Sequence, residues 1–90
     1  MTNDEYIEQF WNRIKLLCKQ NSISMQELSK KLGLGLHFVE NAKIMGVSPK
    51  LSLIIKSSEI FNVSTDFLLK GYSDDFYQNK LNEIKQLSSF

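Results

Sequence analysis

Three polar side chains capable of directional chemistry, His37, Glu40 and Asn41, fall within five residues. An Asn carboxamide presents a donor beside an acceptor, the pattern that pairs bidentately with the exposed edge of adenine. A His ring can donate to guanine or to a phosphate oxygen. Around them stand Lys30, Lys31, Lys43 and Lys50, with Arg13 further upstream. Such cations neutralise phosphates and set salt sensitivity. Enzymatic chemistry has little to work with. There is one His and one Cys, without metal-ligand spacing, and no Gly-rich loop follows a strand. The expectation is a protein with no catalytic residues, no cofactor and no metal.

Ninety residues make one small domain with a limited core and a thin stability margin. The net charge of +1 conceals an uneven distribution. Residues 12–71 carry nine Lys/Arg against four acids, whereas the first eleven residues carry −3 and the last nineteen −1. A basic middle between acidic ends is compatible with nucleic acid, although many solvated helical domains share such a surplus. No apolar run reaches membrane-spanning length, and the opening "MTNDEYIEQF" is too acidic and polar for a secretory signal. Cys18 is alone, so no internal disulfide forms, and a cytoplasmic protein is expected.

The elements that must position these groups are helical. Ile7, Phe10, Trp11, Ile14, Leu17 and Cys18 recur on one face of a helix predicted over residues 3–19, which opens with Thr2 and Glu5 at capping-box spacing. Ser24 and Glu27 repeat that spacing before a second helix, "MQELSKKL", with Leu28 and Leu32 inward and Gly33 as its stop. A third helix is predicted from residue 35 or 36 to 44, with Val39 and Ala42 inward and Gly46 ending it. Pro49 separates it from a fourth, "LSLIIKSSEIF", with Leu51, Ile54, Ile55, Ser58 and Phe61 toward the core and Asn62 as a left-handed stop. Ser64 caps a fifth, "TDFLLK", which Gly71 stops. A sixth, over residues 74–87, aligns Tyr77, Leu81, Ile84 and Leu87 on one stripe. No segment alternates as a strand does.

Two short helices joined by a Gly-bearing turn, inside a helical bundle, make a DNA-binding arrangement. Over residues 10–71 the chain resembles the Cro and phage-repressor (XRE-like) type of helix-turn-helix domain. The shared pattern is Arg13-Ile14 with Leu17, then "QELSKKLG", then Pro49 and Leu51, then "NVSTDFLLKG". The resemblance implies an all-α, five-helix, lambda-repressor-like bundle over residues 1–71. The sixth helix, in residues 72–90, carries the stripe Tyr77, Leu81, Ile84 and Leu87, which either pairs with its twin in a dimer or folds back on the first helix. The resemblance further implies sequence-specific binding of double-stranded DNA by a small, repressor-like transcriptional regulator. The family's DNA-facing positions fall on Met25, where the family often has a Gln and where Gln26 beside it is the candidate contact, and on Gly35, Leu36, His37, Glu40, Asn41 and Ile44. Gly35, lacking a side chain, offers only its N–H to a phosphate. The candidate phosphate set is thus Arg13, Lys30, Lys31, Gly35, Lys43 and Lys50.

Departures from the family pattern temper that expectation. An Arg–Glu pair common in the family would fall on Cys18 and Lys43, so it is absent. The third helix has no Arg, and Leu36 can make only apolar contacts. One copy with so few base-edge groups discriminates poorly, which favours a homodimer reading half-sites about 34–36 Å apart. The alternative is a helix-turn-helix domain that binds a protein partner, as an antitoxin-like or anti-repressor module, with Leu36 and Phe38 as an exposed apolar patch. Plainer roles stand beside these. Asn41 and His37 fit a solvated helix face, the lysines a solvated surface, and Trp11, Tyr6 and Cys18 a core or interface. Phe38 is expected to be partly buried against the second helix.

Overall fold

Three of the five described helices begin where a hydroxyl at the cap position replaces a missing backbone acceptor. In the computed structural model, which describes residues 2–71, Thr2 accepts the Glu5 amide and starts α1, Asn3–Gln20. Ser24 accepts the Glu27 amide and starts α2, Met25–Lys31. Ser64 accepts the Phe67 amide and starts α5, Thr65–Lys70. Between them lie α3, Phe38–Met45, and α4, Leu51–Phe61. The described chain is all-α, with no strand among residues 2–71. Positive φ closes four of the helices: Gly46 (65°), Asn62 (53°) and Gly71 (80°) cap α3, α4 and α5, and Gly33 (74°) follows the α2 cap, Leu32. The fifth left turn is at Ser22 (φ 56°), just after the α1 cap Asn21, whose carboxamide donates to the Leu17 carbonyl.

α1 is the spine. α2 and α3 pack on each other and on α1, while α5 packs on α1 and α4. The apolar stripe of α1 is buried as its spacing predicts, from Phe10 to Cys18, with Ile7 half-buried at its edge. Leu28, Val39 and Leu68 bring α2, α3 and α5 into the same core. Trp11 is 1% exposed, and its ring meets Phe10 edge-on at 5.0 Å. Its Nε1 donates to the Val47 carbonyl at 2.7 Å, which pins the α3–α4 connection to α1. Trp11 is therefore core, and Tyr6 is a half-exposed surface residue. No described helix is long and apolar enough to cross a membrane.

Two expectations are corrected. α3 starts at Phe38, not at residue 35 or 36, and ends at Met45. The Phe38 amide donates to the Gly35 carbonyl at 3.0 Å, closing a turn, and the first helical bond of the element runs from the Asn41 amide to the His37 carbonyl. Residues 35–37 therefore belong to the connection. In α4 the buried face is Leu53, Ile54, Ser57 and Phe61. Leu51 (72%) and Ile55 (43%) are exposed and Ser58 is half-buried. This helix is apolar around much of its circumference, so its period selects no unique face, and contact with α5 decides. The predicted sixth helix, with Tyr77, Leu81, Ile84 and Leu87, lies outside the described residues.

α3 has no side-chain cap of its own, because His37 at the cap position makes no such bond. The acceptor comes from α2. Ser29, fully buried, donates to the Met25 carbonyl (2.9 Å) and accepts the Val39 amide (3.1 Å). Ser29→Ala removes that acceptor and leaves a buried amide unpaired, so it should cost about 1–3 kcal/mol in urea unfolding without loss of helical circular dichroism. Burial, with a smaller push from the charge of Glu27, raises the Cys18 thiol above its ordinary range. The fold thus favours the protonated thiol. Stability should be full below the unfolded thiol's pKa, about 8.5, and should fall as pH rises past it. Cys18→Ser, which removes this titration, should flatten the decline.

Candidate functional site

α2, the connection and α3 form one unit that presents most of the candidate contacts. Leu28 and Ser29 on α2 and Val39 and Ala42 on α3 face inward. The turn between the helices is closed by bonds from the Gly33 amide to the Lys30 carbonyl and from the Leu34 amide to the Ser29 carbonyl. With the Ser29 bridge, these bonds fix the start of α3 relative to α2.

With its inner face so committed, α3 turns the opposite face outward. Asn41 is exposed, and Ile44 and Met45, one turn on, are 82% and 76% exposed. Glu40 is half-buried, and one of its carboxylate oxygens lies 3.6 Å from His37 Nδ1. His37 is the cap residue of α3 and Leu36, 45% exposed, belongs to the preceding turn. Gly35 is a correction of the same kind. It lies three residues before α3, so its amide is not at a helix start. Gln26 and Met25, in the first turn of α2, are both half-buried. Phe38 is 38% exposed and lines a cavity together with Leu32 and Leu34 from the end of α2 and its turn.

The cations divide into two groups. Lys30 and Lys31 are exposed in the last turn of α2, Lys43 is half-buried in the last turn of α3, and Lys50 is the exposed cap residue of α4. None of them has an acidic partner within 4 Å among the described residues. Lysines in a last turn also offset the negative end of the helix dipole, which is their plain structural role. Arg13 is placed otherwise. Its Nη1 donates to the Leu68 carbonyl in α5 at 3.1 Å and its Nη2 to Gln9 Oε1 at 3.3 Å. A side-chain carbon at Gly71 would lie 2.8 Å from Nη2, the end of a side chain that can shift, so it is the φ of 80° that calls for glycine there. Partial burial holds the guanidinium pKa below its usual value, although it stays charged. Arg13 therefore secures the end of α5, and the cation set beside α3 reduces to lysines.

Sequence reasoning missed Ser29. A serine within a helix ordinarily reads as a surface residue, and only its place between the inward Leu28 and Leu32 hinted at burial. Among the described residues no group of three or more His, Cys, Asp or Glu side chains could hold a metal ion. The described chain is an all-α, five-helix protein whose second and third helices form a locked pair. Comparison with protein-family models, curated proteins and solved structures found no match to the chain.

Arg13→Ala should lower the unfolding free energy by about 1 kcal/mol, read from a chemical denaturation midpoint, because the α5 carbonyl loses a charged donor.

Proposed function

We propose that the chain is a lambda-repressor-like helix-turn-helix domain that binds duplex DNA, as a homodimeric, repressor-like transcriptional regulator in the cytoplasm. The observation that carries this reading is the exposed outer face of α3, with Asn41 on it, held rigidly to α2 by Ser29. A reading element must be both accessible and fixed in orientation, since a bidentate base contact tolerates little play. The resemblance in sequence supplies the assignment of α3 to the major groove. In this assignment Asn41 reads an adenine and His37 contacts a base edge or a phosphate. Lys30, Lys31, Lys43 and Lys50 clamp phosphates, and Leu36 makes apolar contact with a thymine methyl. The second copy is recruited through residues 72–90.

One observation favours a second reading, binding of a protein partner. Ile44 and Met45, neighbours in the chain, leave more than three quarters of their surface in water, and Leu36 in the turn before α3 is 45% exposed. Exposed apolar residues this close together suit a protein interface better than a phosphate-lined groove.

Titration with random and selected duplexes across a salt series separates the two readings. The DNA reading expects affinity that falls steeply as salt rises. Asn41→Ala should then relax preference at one base pair by about 1–3 kcal/mol, whereas Lys31→Ala should weaken all duplexes alike and flatten the salt slope by about one unit. Absence of duplex binding at low salt overturns the DNA reading and leaves the protein partner. If both substitutions act alike on selected and random duplexes, Asn41 is not a reader.

A further inference from the structure

A cavity of about 250 Å³ opens between the first turn of α3 and α4. Trp11 and Leu53, both buried, form part of its wall, and Leu34 and Phe38, 37% and 38% exposed, form the part that water still reaches. Lys50 and Lys56 also belong to the lining. Both are exposed, and neither has an acidic partner within 4 Å among the described residues. Among the described residues, none that lines the cavity is acidic.

Apolar walls with a few placed polar groups are the composition of a small-molecule site. Two cations without a carboxylate select a negative head group, and the apolar walls select an apolar body. The volume falls just below the roughly 300–1,000 Å³ that drug-sized ligands need, so the body must be short. We propose that this cavity binds a small amphiphilic carboxylate, its apolar part against Trp11, Phe38 and Leu53 and its carboxylate at Lys50 and Lys56. The site does not depend on DNA binding. If the domain does bind a duplex, ligand and phosphate compete for Lys50, and Phe38 brings the ligand to the start of α3.

Trp11 is the single tryptophan of the chain, so its fluorescence reports occupancy directly. The full chain is titrated with n-alkanoates from butanoate to decanoate, below their micelle concentrations, and with octanol as the neutral counterpart of octanoate. Saturable binding is expected, tightening about fourfold per methylene until the cavity is full. Octanoate should bind more tightly than octanol. The double substitution Lys50→Gln and Lys56→Gln, at exposed positions, should weaken octanoate about fivefold and leave octanol unchanged. Backbone amide shifts in NMR should centre on Leu34, Phe38 and Leu53. The proposal is overturned by no saturable response, by equal affinity for octanol and octanoate, or by a double variant that binds octanoate as the parent does. Shifts centred on Tyr6 and Leu69, which line a separate open groove, overturn it as well. None of these outcomes bears on duplex binding.

Discussion

The hydroxyl of Ser29 governs the geometry on which the rest of the proposed function depends. A helix as short as α3 begins with open amides, and its own cap residue, His37, closes none of them with a side chain. Ser29 closes one from a neighbouring helix while donating to its own Met25 carbonyl. The bond to the Val39 amide is buried, where water cannot replace it and an unmade bond is costly, and the bond to Met25 is part-buried. α2 and α3 are thus joined by a directional contact as well as by Leu28, Val39 and Ala42. Apolar packing alone tolerates rotation and sliding. A hydrogen bond between a buried side chain and a backbone amide tolerates little of either.

The Trp11 indole has a similar part on the other side of α3. Its bond to the Val47 carbonyl holds the chain just beyond the Gly46 stop, so α3 is constrained at both ends by polar contacts. Arg13 fixes the far end of the bundle, where α5 stops at Gly71. These three contacts come from α1 or α2 and reach into later elements. Each joins a side chain to a backbone group, and each uses a polar atom whose burial would otherwise be unfavourable.

The surface left by this arrangement is mixed. Lysines sit at the ends of α2 and α3, where the helix dipole already favours them, and at the start of α4, where it does not. Lys50 is therefore the cation whose position helix stability explains least, and it belongs both to the proposed phosphate set and to the lining of the cavity. The outer face of α3 combines one carboxamide, one His–Glu pair and two strongly exposed apolar side chains. That combination allows recognition by hydrogen bonding and by apolar contact, and it accounts for two readings of one helix.

The residue pattern alone determined that the described chain is helical, where four of its five helices begin and where four of the five left-handed turns fall, Ser22 being the exception. Caps, glycines and the period of an amphipathic stripe are local, and Thr2, Ser24, Ser64, Gly46 and Asn62 act within a few residues of themselves. The inward faces of α1 and α3 were legible for the same reason. Tertiary structure decided the rest. The start of α3 was displaced by a turn at Gly35 and by an acceptor from Ser29, ten residues away in sequence. The buried face of α4 was chosen by its neighbour among several apolar alternatives. Arg13, a phosphate candidate by charge, was drawn to a carbonyl 55 residues on. Long-range pairing of a polar side chain with a particular backbone group depends on how whole helices meet, and no local spacing encodes that meeting.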